Sequence, residues 1–436
     1  MGRADELASR LLGAEKAIKT SRLSRLVATG RSAVGLASTV LGRRDGDVDL
    51  EALERLVSRL GELKGLGMKL GQIMSFIDPS LPPDTRAMLA VLQRQAPASE
   101  WSAVEAVLSQ TLGPRAAELL KTFERTPFAV ASIGQVHRAG LEGVGPVAVK
   151  VRHPGIERAL AADFSAAVGG LGLANTMLLG AASDAKALVD EARAAMLAEC
   201  DFSQEAQTQR AFATWLAGDE VLVVPEVLDA WSGPAVLTTR WEPGLSLDAF
   251  LATGPSQAER DAAGAALFRA SVGGFHALGL LHADPHPGNF AFRDGRVVLY
   301  DFGCVRRYSR EHTDAFAAMA EALRAGDGPG LAAAARRFGF RLERAEQLVL
   351  LERFARSFFA PMLARGPSRI APDEAVEARQ MMKDKRALMK LGLPAHLLFL
   401  LRLRFGLYAV LSTLGACQDW GALERSAASG AAALHP

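Results

Sequence analysis

The stretch His282-Ala283-Asp284-Pro285-His286-Pro287-Gly288-Asn289-Phe290, followed by Gly295-Arg296-Val297-Val298-Leu299-Tyr300-Asp301-Phe302-Gly303, decides the fold of this chain. It contains an Asp, an Asn five positions later, and a second Asp at the end of an apolar run. Carboxylate and amide oxygens are the ligands that a hard cation such as Mg²⁺ prefers. Asp284, Asn289 and Asp301 therefore have the order and chemistry needed to hold Mg²⁺ on a nucleoside triphosphate and to aim an acceptor at it.

The spacing within this stretch predicts a hairpin. Asn289 to Arg293 and Arg296 to Tyr300 are short, apolar-leaning runs, and the Asp294-Gly295 pair that joins them is a strong hairpin signal. The hairpin would return Asn289 and Asp301 to one end, where both can ligate the metal, and Asp284 would orient or deprotonate the attacking hydroxyl or water. The alternative is a solvated polar loop beside a hairpin. The H-x-D-x-x-x-x-N spacing, which is that of kinase catalytic loops, favours the first interpretation.

Length and composition indicate a globular protein. The chain has 436 residues, of which 49% are hydrophobic and 22% charged, so it has ample material for a large core. The net charge of +2 gives no reason to expect a nucleic-acid partner. Cys200, Cys304 and Cys417 match neither a zinc nor a disulfide pattern, and charges are scattered through the N-terminus where a secretory signal needs an apolar core. We therefore expect a cytoplasmic protein.

The sequence pattern predicts two helical blocks in the N-terminal part of the chain. Residues 1 to about 45 have a helical pattern with a basic bias. The alternatives are a helix that lies on an anionic bilayer surface, a helix packed on the domain, and a frayed terminus. The second block, from Asp49, contains Lys69-Leu70-Gly71-Gln72 among several glycines, which cost helix stability unless a partner or ligand approaches closely. Its structural alternative is tight helix packing with Lys69 reaching water.

Strand periodicity begins after Phe123. Phe128 to His137 and Gly145 to Val151 predict three strands, and Val147-Ala148-Val149-Lys150 places an ammonium where it can pair with α- and β-phosphates. Small residues in the first turn would let backbone N–H groups approach phosphate oxygens. The candidate nucleotide-binding residues of this turn are Ala129, Ala131, Ser132, Ile133 and Gly134.

A lysine in this role needs an acidic partner. Three carboxylates, Glu199, Asp201 and Glu205, lie on one predicted helix. We expect Glu205 to pair with Lys150, and Glu199 and Asp201 to face the metal region or Lys69. The alternative is a solvated acidic helix face.

The remaining segments connect these parts. The apolar strand before Pro243-Gly244 is typical of a hinge between two lobes. We expect the exposed backbone near Arg240 to Glu242 to form hydrogen bonds with the edge of an adenine base. The uncharged run from Ser165 to Ser183 is interpreted as a buried helix or connector. Leu397 to Leu414, interrupted by Arg402 and Arg404, is interpreted as a packed helix and not a membrane span. Helical pattern resumes soon after Gly303, so a long regulated activation loop is not expected.

Six of these motifs together carry a family resemblance. From about residue 50 to 415 the chain resembles the UbiB family of atypical, protein-kinase-like proteins, also called aarF-domain kinases. The matching motifs are Lys69 to Gln72, Ala129 to His137, Val147 to Lys150, Glu199-Cys200-Asp201, His282 to Asn289, and Asp301-Phe302-Gly303. The sequence departs from the family at Val130, where alanine is frequent, and it lacks the paired C-terminal membrane spans of some bacterial members.

The resemblance implies a fold and an activity. The fold class is α+β, a bilobal protein-kinase-like fold with an N-terminal helical K-x-G-Q extension that places Lys69 and Gln72 toward the nucleotide and blocks peptide entry. The resemblance implies an atypical kinase or ATPase that uses the cofactors ATP (or ADP) and Mg²⁺. It also implies a role in biosynthesis of ubiquinone or a related isoprenoid-quinone lipid, with peripheral membrane contact. The expected domains are residues 1–48, 49–120, 121–242 and 243–436.

Two other functions remain open on sequence alone. The H-x-D-x-x-x-x-N loop also suits a small-molecule phosphotransferase of the aminoglycoside or choline kinase type. A nucleotide-gated, lipid-binding scaffold with negligible turnover is the third hypothesis.

Overall fold

The computed structural model of this chain describes residues 98–161, 193–194, 196–371, 391, 393–394 and 396–433. The chain divides into two compact units, one comprising Met1–Ala206 and Val227–Trp241, the other Gln207–Glu226 and Glu242–Pro436. The second division, after Trp241, lies next to the domain boundary expected at 242, whereas residues 207–226 fall in the second unit. Lys69, Gln72 and the run from 165 to 183 lie outside the described residues.

The first unit contains a four-stranded antiparallel sheet in the order β1-β2-β3-β5. Its strands are β1 (Ala129–Val130), β2 (Gly134–Leu141), β3 (Gly145–Arg152) and β5 (Val236–Arg240). The three strands predicted after Phe123 are confirmed as β1, β2 and β3.

Alternation along β3 separates the core from the functional face of the sheet. Val147, Val149 and Val151 are fully buried against helices α1 (Trp101–Leu112) and α2 (Ala116–Leu120). Because successive strand side chains point to opposite faces, Lys150 projects from the other side. The apolar residues of Val-Ala-Val-Lys-Val thus anchor the strand, and the lysine is left on the face away from this core.

Helix α3 (Phe202–Trp215) begins in the first unit and continues into the second. Asp201 precedes it and accepts a hydrogen bond from the backbone N–H of Ser203 at 3.0 Å, so it acts as the N-cap. The prediction that Glu199, Asp201 and Glu205 share one helix is therefore wrong in part, because only Glu205 lies within α3. A capping carboxylate satisfies backbone donors that the first helical turn leaves unpaired.

The second unit contains the predicted hairpin. Strands β7 (Phe290–Arg293) and β8 (Arg296–Leu299) pair antiparallel, and β4 (Leu222–Val223) joins β8 in parallel. Asp294 and Gly295 both have positive φ, 50° and 74°, which suits a two-residue hairpin turn. A separate antiparallel pair, β6 (Leu280–His282) with β9 (Val305–Arg307), flanks the hairpin in sequence.

Helices form the rest of the second unit. The predicted helical run from Leu247 to Leu278 is confirmed, with a break near Gly254 (φ 70°) and a π-helical turn at Arg269–Gly273. Two short strands, β10 (Ser368–Arg369) and β11 (Cys417–Gln418), pair antiparallel. The helices are α4 (Leu247–Ala252), α5 (Gln257–Phe268), α6 (Gly274–Leu278), α7 (Arg310–Ala325), α8 (Gly328–Phe338), α9 (Ala345–Leu363), α10 (Leu397–Leu414) and α11 (Trp420–Ala433).

Helix α10 is packed inside the second unit, as predicted from its two arginines. Arg404 is 1% exposed, donates to the Tyr408 hydroxyl at 2.8 Å, and lies over the rings of Phe358 and Phe359 at 5.2 and 5.5 Å. These rings offer a buried cation their negative faces. No helix among the described residues is both long and apolar enough to cross a lipid bilayer.

The chain passes quickly from Asp301-Phe302-Gly303 into the next helix. Residues 304–309 include strand β9, and α7 then begins at Arg310 with Ser309 as its N-cap. The expectation that no long activation loop follows Gly303 is confirmed. The segment after Asp301, a candidate metal ligand, is therefore fixed by the pairing of β9 with β6 and by the start of α7.

Candidate functional site

The structure brings Asp284, Asn289 and Asp301 to the same end of the β7–β8 hairpin. The side-chain amide of Asn289 donates to the carbonyl oxygen of Asp284 at 3.1 Å. The carbonyl of Asn289 accepts from the backbone N–H of Tyr300 at 2.9 Å, directly before Asp301. His282, at the end of β6, donates its Nε2–H to the Asp301 carbonyl at 2.6 Å. One hydrogen bond thus joins Asn289 to Asp284, and the pairing of Asn289 with Tyr300 places Asp301 at the same end of the hairpin.

The donor set at this end suits magnesium held together with a phosphate. Asp301 Oδ1 accepts from the Gly303 N–H at 2.9 Å, and this turn fixes the carboxylate's orientation. Asn289 uses its amide nitrogen on Asp284, which leaves its amide oxygen as the atom able to ligate a cation. No cluster of three His, Cys, Asp or Glu side chains that could hold a metal occurs in the described part of the chain. Mg²⁺ typically takes one or two carboxylates and completes its shell with phosphate and water oxygens, so these residues fit it.

In the first unit, Lys150 and Glu205 form the predicted ion pair. Lys150 Nζ lies 2.7 Å from Glu205 Oε1 and 2.9 Å from Oε2. The Glu205 side chain is only 3% exposed, and Nζ also lies 5.1 Å from the centre of the Phe202 ring. A buried charge must be paired to be tolerated. The ion pair therefore fixes the orientation of the Lys150 side chain relative to β3.

Backbone hydrogen bonds and core packing fix the turn between β1 and β2, which was predicted to contact phosphate. The Ala131 N–H donates to the Gly134 carbonyl at 2.8 Å, and the Ala131 carbonyl accepts from His153 at 3.1 Å. Ile133 is buried in a core cluster, and a Cβ on Gly134 would lie 2.6 Å from the Val151 carbonyl. Gly134 is therefore required by close strand packing, and Ile133 by the core. Ala129 is exposed and Ser132 half-buried, and contact of all five predicted residues of this turn with a nucleotide stays a prediction.

Arg240 and Glu242, predicted at an adenine edge, each have partners within their own unit. Arg240 donates to the Val144 carbonyl at 2.9 Å in the first unit. In the second unit, Glu242 pairs with Arg293 at 2.7 Å and its carbonyl accepts from the Tyr300 hydroxyl at 2.7 Å. Burial raises the pKa of the Tyr300 phenol, although the Arg293 charge lowers it, so the phenol stays protonated and donates. Contact of Arg240 and Glu242 with a base stays a prediction.

One residue of the site was not recognised in the sequence. Arg402 Nη2 donates to Asp284 Oδ1 at 2.8 Å, across 118 positions of chain. The sequence signal was a charge in the apolar run of α10, interpreted only as an argument against a membrane span. A buried arginine on a helix must find an acceptor, but periodicity alone does not say which acidic residue supplies it.

Comparison with known proteins finds kinase-like relatives. Residues 91–334 match the ABC1 atypical kinase-like domain. The chain is 29% identical over 333 residues to the mitochondrial atypical kinase COQ8B of Danio rerio, covering 72% of this chain and 53% of that protein. It is 34% identical over 274 residues to the uncharacterized protein slr0889 of Synechocystis, covering 60% of this chain and 67% of that protein. The chain thus spans about half the length of the COQ8B protein.

A solved structure shares the fold. The structure of Rv3197 from Mycobacterium tuberculosis, in complex with erythromycin, superposes with a TM-score of 0.59 at 28% sequence identity. The match covers 89% of this chain and 97% of that one. The fold is therefore a mixed helix and sheet fold of the kinase-like type, as the sequence predicted.

Proposed function

The chain belongs to the ABC1 atypical kinase-like family, and from that membership we propose that it is an Mg²⁺- and ATP-dependent atypical kinase or ATPase. In this proposal the nucleotide is ATP or ADP, and the activity supports biosynthesis of ubiquinone or a related isoprenoid-quinone lipid. The observation that carries the proposal is the convergence of Asp284, Asn289 and Asp301 at one end of the hairpin. Asn289 and Asp301 would hold Mg²⁺, which neutralises charge on the phosphates when bound.

The residues of the chain have separate tasks in phosphoryl transfer. Asp284 orients the attacking hydroxyl or water and accepts its proton. Its backbone carbonyl is tied to Asn289, so the base and the metal ligand keep a fixed separation. Lys150, held by Glu205, pairs with the α- and β-phosphates. Because phosphoryl transfer needs little covalent help from the protein, positioning and charge supply most of the catalysis.

The lipid side of the proposal draws on the family resemblance. The proposed partner is a phenolic isoprenoid-quinone precursor or another lipid. In this proposal the protein is cytoplasmic and binds that lipid at a membrane surface. The basic N-terminal pattern and the Lys69 and Gln72 positions, which would face the nucleotide, lie outside the described residues. Adding phospholipid and a phenolic quinone precursor is expected to raise turnover.

Asp301→Asn tests the proposal. We expect nucleotide-dependent phosphate release to fall by about 100-fold, because one anionic ligand of the metal is lost. Release is measured with ATP and Mg²⁺, with and without liposomes that carry a quinone precursor. Asp294→Asn is the matched control, since it makes the same change at the opposite end of the hairpin, where Asn tolerates positive φ.

Three results would overturn the proposal. Equal release by wild type and Asp301→Asn would remove the metal assignment. Mg²⁺-dependent ATP binding without any release, even on liposomes, would identify a nucleotide-gated scaffold. Phosphorylation of a water-soluble metabolite in place of lipid-stimulated release would identify a small-molecule phosphotransferase.

A further inference from the structure

One face of helix α10 lies directly against the loop that carries Asp284. Arg402 Nη2 donates to Asp284 Oδ1 at 2.8 Å. One helical turn later, a Cβ on Gly406 would lie 2.5 Å from the Pro285 side chain, so only glycine permits this approach. Positions i and i+4 share a helix face. Two independent contacts therefore join the same helix face to two consecutive residues of the loop.

The Arg402 guanidinium also reaches the segment that follows Asp301. Its Nη1 lies 3.4 Å from Cys304 Sγ, and the Ala283 N–H donates to the Cys304 carbonyl at 2.9 Å. The Arg402 side chain is 10% exposed and that of Asp284 is 17% exposed, so solvent screens their attraction only partly. Arg402 thus bridges the loop of Asp284 and the residue that follows Asp301-Phe302-Gly303.

We infer that Arg402 is a positioning residue for Asp284. We also infer that the face of α10 that carries Arg402 and Gly406 supports the loop of Asp284 in the phosphoryl-transfer site. This inference rests on the proposed function. Arg402 fixes the rotation of the Asp284 carboxylate, so that it meets the acceptor in a productive geometry. A displacement of about 1 Å at such a group can cost on the order of 100-fold in rate.

The same helix supplies a contrasting arginine. Arg404 donates to the Tyr408 hydroxyl and to Met362 sulfur, and lies among aromatic rings of the core. These partners, Tyr408, Met362 and the Phe358 ring, all lie outside the loop at Asp284. Arg404 therefore shares the helix and the charge of Arg402, is more deeply buried, and packs against different residues. Substitution of Arg404 measures the general cost of damaging α10.

A double-mutant cycle on full-length protein tests the inference. Arg402→Gln is expected to lower kcat by about 10- to 100-fold, with the Kd for a fluorescent ATP analogue changed by less than about twofold. In the Asp284→Asn background, Arg402→Gln is expected to cause no further loss of kcat, because residues acting as a unit are not additive. Arg402→Lys, which keeps a cation and a donor, should recover part of the rate.

Two control pairs separate positioning from general damage. Arg404→Gln is expected to lower Tm while leaving kcat per folded molecule within about twofold. Gly406→Ala should lower kcat by moving α10 away from Pro285. Gly430→Ala, where a Cβ meets nothing within 4 Å, should leave kcat unchanged and raise Tm slightly, because Ala is the better helix former. Circular dichroism and Tm establish the folded fraction of every variant.

The outcomes distinguish this inference from the proposed function. If wild type releases no phosphate under any condition, the proposed function fails. If wild type turns over and Arg402→Gln matches it, or falls only as far as Arg404→Gln, the inference fails alone. A further full loss of kcat from Arg402→Gln in the Asp284→Asn background would likewise show that Arg402 acts independently of Asp284.

Discussion

Lys150→Met is expected to lower the free energy of unfolding by about 3–5 kcal/mol, because it leaves a buried carboxylate without its ammonium partner. Glu205 is 4% exposed and binds Nζ through both oxygens. The same substitution removes the charge that pairs with α- and β-phosphates, so nucleotide-dependent phosphate release should fall to background. Urea unfolding monitored by circular dichroism gives the first quantity, and a phosphate-release assay the second.

The double variant Lys150→Met with Glu205→Gln separates stability from activity. Replacing both members of a buried pair is expected to recover most of the lost stability, since no uncompensated charge remains. Phosphate release should stay at background, because the cation is still absent. Arg356→Met is the control, because its pair with Glu352 is about half-exposed and should be worth less than about 1 kcal/mol. Recovery of activity in the double variant would contradict the role given to Lys150.

Glu424→Gln is expected to destabilise the second unit by about 3 kcal/mol, because it breaks a buried ion pair. Glu424, on α11, is 1% exposed and pairs with Arg324 of α7. His276 Nε2 of α6 lies 3.7 Å from its other oxygen, beyond hydrogen-bond reach. One carboxylate thus connects three helices. Thermal unfolding should show a fall in Tm of roughly 6–12 °C.

The pH dependence of stability provides a second measurement on Glu424. Burial alone would raise the pKa of its carboxyl, but the contacts with His276 and Arg324 outweigh burial and hold the pKa below its ordinary value of 4.5. A lowered folded-state pKa means that this stability is fully present above pH 4.5 and is lost as pH falls through the lower folded value. The loss on acidification should be smaller in Glu424→Gln.

Glu321→Gln is the matched control for Glu424. Glu321 also pairs with Arg324, at 2.9 Å, but its side chain is 66% exposed. Its removal is therefore expected to change the free energy of unfolding by less than about 0.5 kcal/mol. If both variants lost the same stability, burial would not be the reason for the effect of Glu424.

Local chemistry explains what could be predicted from the sequence. The Asp294-Gly295 turn carries its own conformational requirement, so the hairpin and the meeting of Asn289 with Asp284 followed from a few neighbouring residues. The strand of Lys150 was evident because Val147, Val149 and Val151 alternate with it. Glu205 was chosen as its partner among three carboxylates, and the 2.7 Å contact agrees.

The contacts that were missed depend on packing between distant segments. Arg402 meets Asp284 only because α10 lies against its loop, and the glycine that permits the approach gave no sequence signal of its partner. The close carbonyl of Val151 gives Gly134 a packing role that the sequence pattern did not indicate, and its contact with phosphate stays a prediction. Asp201 was placed on a helix that in fact begins one residue later, a boundary that side-chain capping decides.

The short path from Gly303 to α7 has a consequence for control. Residues 304–309 include strand β9, which pairs with β6, and Ser309, the N-cap of α7. A covalent change within β9 would have to break the β6–β9 pairing, and in the proposed function it would thereby disturb the loop that follows β6 and carries Asp284.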